Sequence, residues 1–164
     1  MHMNKAINTI TNITRYIGLA TLMFMMFFIA VAVVGRAFHR PIVGDVELVQ
    51  LGMVVLISSG IAYTEKVNGH ISIGLLVDKL SKNVQFILNK ITYLMGMIIC
   101  LLFSYIYINV FIDHLTNKKL TTDLLTIPYY PFDLLISLGF FLWALQLFLK
   151  FINRNESSKE DVDD

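Results

Sequence analysis

Apolar residues run along this chain in four long stretches, each separated from the next by a short polar segment. Residues 16–34 carry no charge. A hydrocarbon core is crossed by roughly 20 apolar residues at about 1.5 Å of rise each, so this stretch predicts a membrane-spanning helix. Stretches at about 46–63, 91–112 and 131–149 predict three more. Between the second and third, Ile73, Leu76, Val77, Leu80, Val84, Ile87, Leu88 and Ile91 recur at intervals of three and four, with Asp78, Lys79, Lys82, Asn83, Gln85, Asn89 and Lys90 on the other face. That periodicity predicts an amphipathic helix over about 73–90 in the headgroup plane, its lysines toward anionic lipid and its end running into the third span.

The polar segments add capping and anchoring signals. Met1 to Arg15 reads as a short amphipathic lead-in to the bilayer. The loop from Arg36 to Asp45 contains Pro41 and Gly44, which turn the chain sharply, and Asp45 is placed to cap the next helix. The second span is the least oily: Glu47, Gln50, Val54, Ser58 and Ala62 fall along one stripe, and polar and small side chains in a span face protein rather than lipid. Pro128 and Pro131 bracket Tyr129 and Tyr130, which suit an aromatic belt, and Asp133 lies in the first turn of the fourth span, where the helix dipole favours a carboxylate. Residues 1–154 thus form one membrane domain, and 155–164 an acidic tail expected to be disordered.

Composition agrees with this pattern. Of 164 residues 56% are hydrophobic and 15% charged, too oily for a soluble domain of this size, so the fold class is an all-α integral membrane protein with four transmembrane helices and an interfacial helix. A cleaved leader is the competing reading of the first span, since Lys5 and Arg15 accompany it and Ala30-Val31-Ala32 is a small-residue triplet. The apolar run continues past that triplet to Gly35, and four spans orient more cleanly than three. Nine of the 13 Lys and Arg residues lie in the N-terminus, the loop between spans two and three, and the tail; the other two loops hold four. Both termini are therefore expected in the cytoplasm.

Little in the chain supports chemistry. The single cysteine, Cys100, excludes a disulfide framework and a Cys-x-x-Cys pair, and no clustered metal site is visible. His2, His39, His70 and His114 all lie outside the spans, where they do not supply axial ligands to a transmembrane haem. No Ser/His/Asp set, phosphate loop or basic patch interleaved with aromatics is present, so catalytic residues, cofactors and nucleic acid are not expected. Glu47 is the strongest candidate for proton or cation handling, but its place in a first turn favours pairing with Arg36 or Arg40, or contact with a partner. Arg36 snorkels from its span end, or bonds a neighbouring subunit or a lipid phosphate. Broken helices and intramembrane charge clusters, the usual marks of a substrate path, are missing. Arg36, Asp45, Glu47, Gln50, Ser58 and Ala62 are accordingly candidate partner contacts, and Lys79, Lys82, Lys90, Tyr129 and Tyr130 candidate lipid-interface residues. The alternatives are a stand-alone four-helix exporter using Glu47 as proton carrier, and a membrane enzyme or redox subunit.

Arg36, then Pro41-Ile42-Val43-Gly44-Asp45-Val46-Glu47-Leu48, Ala62-Tyr63-Thr64, and Gly69-His70-Ile71-Ser72-Ile73 leading to Leu75-Leu76 occur in an order and spacing that resembles the small membrane subunit of tripartite ATP-independent periplasmic (TRAP) transporters, the DctQ-like family. The chain departs from the family's pattern after Gly69-His70-Ile71: many members carry an arginine and, two residues later, an acid, where Ser72 and Gly74 stand here. The resemblance implies a non-catalytic subunit of a bacterial inner-membrane complex. Its partners would be a large DctM-like membrane subunit carrying substrate and coupling ion, and a periplasmic substrate-binding protein. Organic acids moved with a sodium gradient are the implied cargo. Ending after the fourth span, the chain looks like an unfused subunit.

Overall fold

No proline interrupts the first 40 residues, and the Thr hydroxyls among them turn back onto their own helix, Thr9 donating to the Lys5 carbonyl, Thr11 to Ile7 and Thr21 to Ile17. The polar lead-in and the first span consequently form one helix. In the computed structural model, which describes residues 2–67, 69 and 81–160, α1 is His2–Ala37, α2 Asp45–Lys66, α3 Lys82–Thr116 and α4 Tyr130–Glu160. Each is long and apolar enough to cross a membrane, over Lys5–Ala37, Asp45–Lys66, Ile87–Thr116 and Tyr130–Ile152.

The boundaries follow from local chemistry. The chain leaves α1 through His39 at φ 55° and enters α2 through Gly44 at φ 78°, a left-handed conformation that costs glycine little. A side chain at Gly44 would also collide with Leu125, from which its β-carbon would stand 2.5 Å. Asp45 and Glu47 occupy the first turn of α2, where the partial positive charge of the helix end favours them. Asp45 is the first helical residue rather than the cap: its Oδ1 accepts from the Val46 N–H at 2.8 Å.

Of the interfacial helix expected over about 73–90, residues 73–80 lie outside the described residues. From Lys82 onward its sequence belongs to α3, because nothing between Asn83 and Ile91 breaks a helix. Likewise, the α4 backbone stays helical to Glu160, into the stretch expected to be a disordered tail. Between α3 and α4, residues 117–129 form a folded turn: Thr121 bridges Pro128, and the Thr122 N–H donates to the Ile127 carbonyl at 2.9 Å.

The helices pack in the order α1, α2, α4, α3, with only slight contact between α1 and α4. Each seam has its own chemistry. Between α3 and α4, Cys100, Ala144 and Leu147 are buried among Tyr93, Met97, Phe140 and Trp143, and Phe140 stacks on Phe103 with centroids 5.2 Å apart. At the middle of that seam Ser104 and Ser137 exchange hydrogen bonds, each hydroxyl donating to the other's carbonyl, at 3.0 and 2.9 Å. Between α2 and α4 the backbones touch: a β-carbon on Gly139 would lie 2.5 Å from the Ser58 carbonyl oxygen. Small residues allow such approach where lipid, being as apolar as the side chains, removes the hydrophobic drive between helices. Large apolar residues on the outer faces are open, Met23 and Tyr105 at 68% and Phe27 at 72% exposure, as a lipid-facing surface requires.

The α2–α4 seam yields a test. Gly139→Leu should lower the thermal unfolding midpoint of the purified chain in detergent, at a cost of about 1–3 kcal/mol for overpacking. Gly60→Ala should not lower it, because an added β-carbon there meets nothing within 4 Å. Equal midpoints for the two variants would show that the seam is not closed by glycine.

Candidate functional site

Charge is confined to the two ends of this bundle. Residues 16–35, 48–64, 91–112 and 134–149 contain no acidic or basic side chain. At the end formed by the two interhelical loops, the Arg36 guanidinium binds the Asp45 carboxylate, tying α1 to α2. Glu47, two residues further, accepts hydrogen bonds from the backbone N–H groups of Leu124 and Leu125, at 2.8 Å to Oε1 and 3.0 Å to Oε2. Its carboxylate thereby holds the tip of the α3–α4 turn over the start of α2, where Leu125 packs against Gly44. His114 Nδ1 and Asp133 Oδ2, 2.7 Å apart, join the ends of α3 and α4 below that turn.

The opposite end carries the termini. Buried Glu65 accepts from Trp143 Nε1 at 3.1 Å and binds the Lys150 ammonium, joining α2 to α4. Gln146, also buried, donates to the Thr11 hydroxyl at 2.7 Å, which in turn donates to the Ile7 carbonyl at 2.9 Å. Arg15 donates to the Tyr63 hydroxyl at 3.0 Å, its guanidinium 4.4 Å from the Tyr16 ring centre and 4.9 Å from that of Tyr63. Lys66 donates to Asn12 Oδ1 at 2.8 Å.

Two apolar grooves lie between these ends, on either side of the exposed ridge of α2 that carries Gln50, Met53 and Ile57. One, of about 180 Å³ between α2 and α4, is lined by Val54, Ile57, Ser58, Ile61, Ile136, Gly139 and Phe140. The other, of about 240 Å³ between α1 and α2, is lined by Ile29, Ala32, Val33, Val46 and Val49, with Arg36, Asp45 and Gln50 at its polar end. Among the described residues, no three His, Cys, Asp or Glu side chains converge as a metal would require.

The candidate partner contacts therefore divide. Arg36 and Asp45 are brought together and pair with each other, Glu47 is taken by the turn, and Ala62 is buried inside the chain at 1% exposure. Gln50 and Ser58 are left at the two grooves. Of the candidate lipid contacts, Lys79 lies outside the described residues, and Lys82 begins α3. The Lys90 ammonium stands 5.8 Å from the Phe151 ring centre, and Tyr129 and Tyr130 are partly exposed beside the turn. Glu65, Trp143, Gln146 and Lys150 were not singled out by the pattern of spans. Signals for them exist: Gln146 is the one amide in an apolar run, Trp143 is the only tryptophan, and Glu65 and Lys150 are opposite charges at the ends of spans two and four.

Glu47→Ala should release the turn. Trypsin cleavage after Lys118 or Lys119, both exposed, should then accelerate several-fold, with Glu47→Gln intermediate because its amide keeps one acceptor oxygen. Cleavage at the wild-type rate in Glu47→Ala would show that the carboxylate does not hold the turn.

No curated protein sequence matches the chain. The family model for the DctQ component of tripartite ATP-independent periplasmic transporters does match it, over residues 25–156, from within α1 to within α4 and through every loop-end contact described above. A match of that extent on a chain of four spanning helices makes this protein a member of the DctQ family.

Proposed function

We propose that this chain is a non-catalytic brace for the large membrane subunit of a TRAP transporter. Such a complex takes up organic acids delivered by a periplasmic binding protein, driven by an ion gradient, with sodium the expected coupling ion. The observation that carries the reading is the use made of polar groups: the acids and bases at the helix ends bind this chain's own loops and helices, and the spans between them hold no charge. A cargo path needs the reverse, ionisable groups facing a cavity at the bilayer midplane. The outward ridge of α2, with Gln50, Met53 and Ile57 between two apolar grooves, offers a partner helix a surface of matching relief. The rival reading, an exporter working alone through Glu47, is disfavoured because both oxygens of that carboxylate are occupied by backbone N–H groups.

The charge count supports both termini in the cytoplasm, with the Arg36–Asp45 loop and the α3–α4 turn in the periplasm. Cytoplasm-active reporters fused after Arg154 should be active, and those fused within residues 117–129 inactive; the reverse pattern would invert the topology. For the function itself, the chain alone in liposomes should carry no organic acid under a sodium or proton gradient. Co-expressed with the large subunit and the binding protein, it should be required for uptake. Ile57→Trp, on the exposed ridge, should lower recovery of the complex several-fold, whereas Leu102→Trp on α3 should not. Solute movement by the isolated chain would refute the reading, and undiminished complex with Ile57→Trp would remove the ridge from the interface.

A further inference from the structure

The cleft between the loop-end halves of α1 and α2 flanks the ridge offered to a partner helix, and it combines two features for which a partner helix does not account. Its walls, Ile29 and Val33 on one side and Val46 and Val49 on the other, are apolar, and its volume of about 240 Å³ holds a run of methylenes. The slight contact between α1 and α4 lies at the termini end, through Thr11 and Gln146, so α4 does not roof the cleft.

The loop at its mouth, residues 36–45, carries two arginines against one acid. Arg36 gives Nη2 to Asp45, yet its side chain is 55% exposed, and a guanidinium carries five N–H donors, most of which this bond leaves available. Beyond Arg36 the chain folds back over the end of α1, the His39 N–H donating to the Arg36 carbonyl at 3.1 Å and the Arg40 N–H to the Gly35 carbonyl at 2.8 Å. The backbone of a second exposed arginine is thereby brought back to the end of α1 that carries the first, and Arg40 forms no ion pair among the described residues. Asp45 offsets one of these two charges; the other has no acidic partner in the loop. Both arginines follow the uncharged part of α1 in sequence, and basic side chains at a span end reach toward lipid phosphates.

We propose that this cleft is a phospholipid site, one acyl chain lying between Val33 and Val46 and the phosphodiester held by Arg36 and Arg40. An apolar side chain from another protein would fill the walls but would leave the cationic mouth without a counterpart. A phosphodiester supplies one, and its planar pairing with guanidinium is the stronger kind of charged hydrogen bond.

Native mass spectrometry of the full-length chain, delipidated in detergent and titrated with phosphatidylglycerol or with diacylglycerol of the same acyl chains, tests the proposal. One phosphatidylglycerol should be retained in preference to diacylglycerol. Val33→Phe and Val46→Phe fill the cleft from opposite walls, at positions each 57% exposed where a larger ring displaces no core packing. Each should reduce retention at least about tenfold, the equivalent of two methylenes left unburied. Arg36→Gln with Arg40→Gln should abolish the preference for the phospholipid, while Leu102→Phe on α3 should change nothing. Wild-type retention in either phenylalanine variant, or an equal loss in Leu102→Phe, overturns the cleft as the site. Equal retention of diacylglycerol by the wild-type chain overturns the phosphate contact.

Discussion

Two carboxylates on α2 fix the rest of the bundle. Glu47 and Glu65 are 18 positions apart, which at about 1.5 Å of rise is roughly 27 Å, close to the thickness of a hydrocarbon core. One holds the α3–α4 turn through two backbone N–H groups, and the other holds Trp143 and Lys150 of α4. α2 is the least apolar of the four spans, with Gly52, Ser58, Ser59 and Gly60 flanking its central Met53-Val54-Val55-Leu56-Ile57. Pinned at both ends to the α3–α4 pair, it can be thin in the middle. Close backbone approach, with Gly139 against the Ser58 carbonyl, then becomes possible instead of a hole.

Charge placement and packing are two expressions of one constraint. In hydrocarbon an unpaired polar group is costly, so hydroxyls inside the spans turn to backbone carbonyls, as Ser59 does to Val55 and as Ser104 and Ser137 do to each other. Interhelical hydrogen bonds of this kind contribute about 0.6 kcal/mol each on average, too little to assemble a bundle alone. The stacked rings of Phe103, Phe140 and Trp143 and the buried Cys100, Ala144 and Leu147 supply the contact area that holds α3, which has no extensive contact with α1 or α2.

What could be read from the sequence was whatever depends on local pattern. Uncharged length located the four spanning helices, and Pro41 with Gly44 located the first turn. Helix ends were read short, because the expectation stopped each helix at its last apolar residue. Asn, Thr, Lys and Glu continue a helix wherever their side chains find partners, as Asn12 and Lys66 do across α1 and α2 and Asn8 does with Gln146 of α4. The stripe expected on α2 lies along one face of a helix, but a face spans more than one neighbour. Ser58 meets α4, Glu47 meets a turn 77 residues away, and Ala62 is enclosed. Periodicity assigns a residue to a face without naming what stands opposite, so long-range pairs such as Gln146 with Thr11 were not legible, although each residue's polarity inside a span marked it as requiring a partner.

Fixing each seam at more than one depth has a mechanical consequence. Sliding α2 against α4 by one helical turn, about 5.4 Å, would break the Glu47 clasp, the Gly139 contact and the Glu65 pair together. α1 is tied by Arg36 to Asp45 at one end and by Thr11 to Gln146 at the other, and α3 by Ser104 at mid-depth and His114 at its end. Alternating access requires an element with two arrangements of similar energy. Here each such motion breaks several contacts at once, so these helices favour moving as one body. A body that resists shear suits the brace proposed above, in which the part that rearranges around the cargo belongs to another chain.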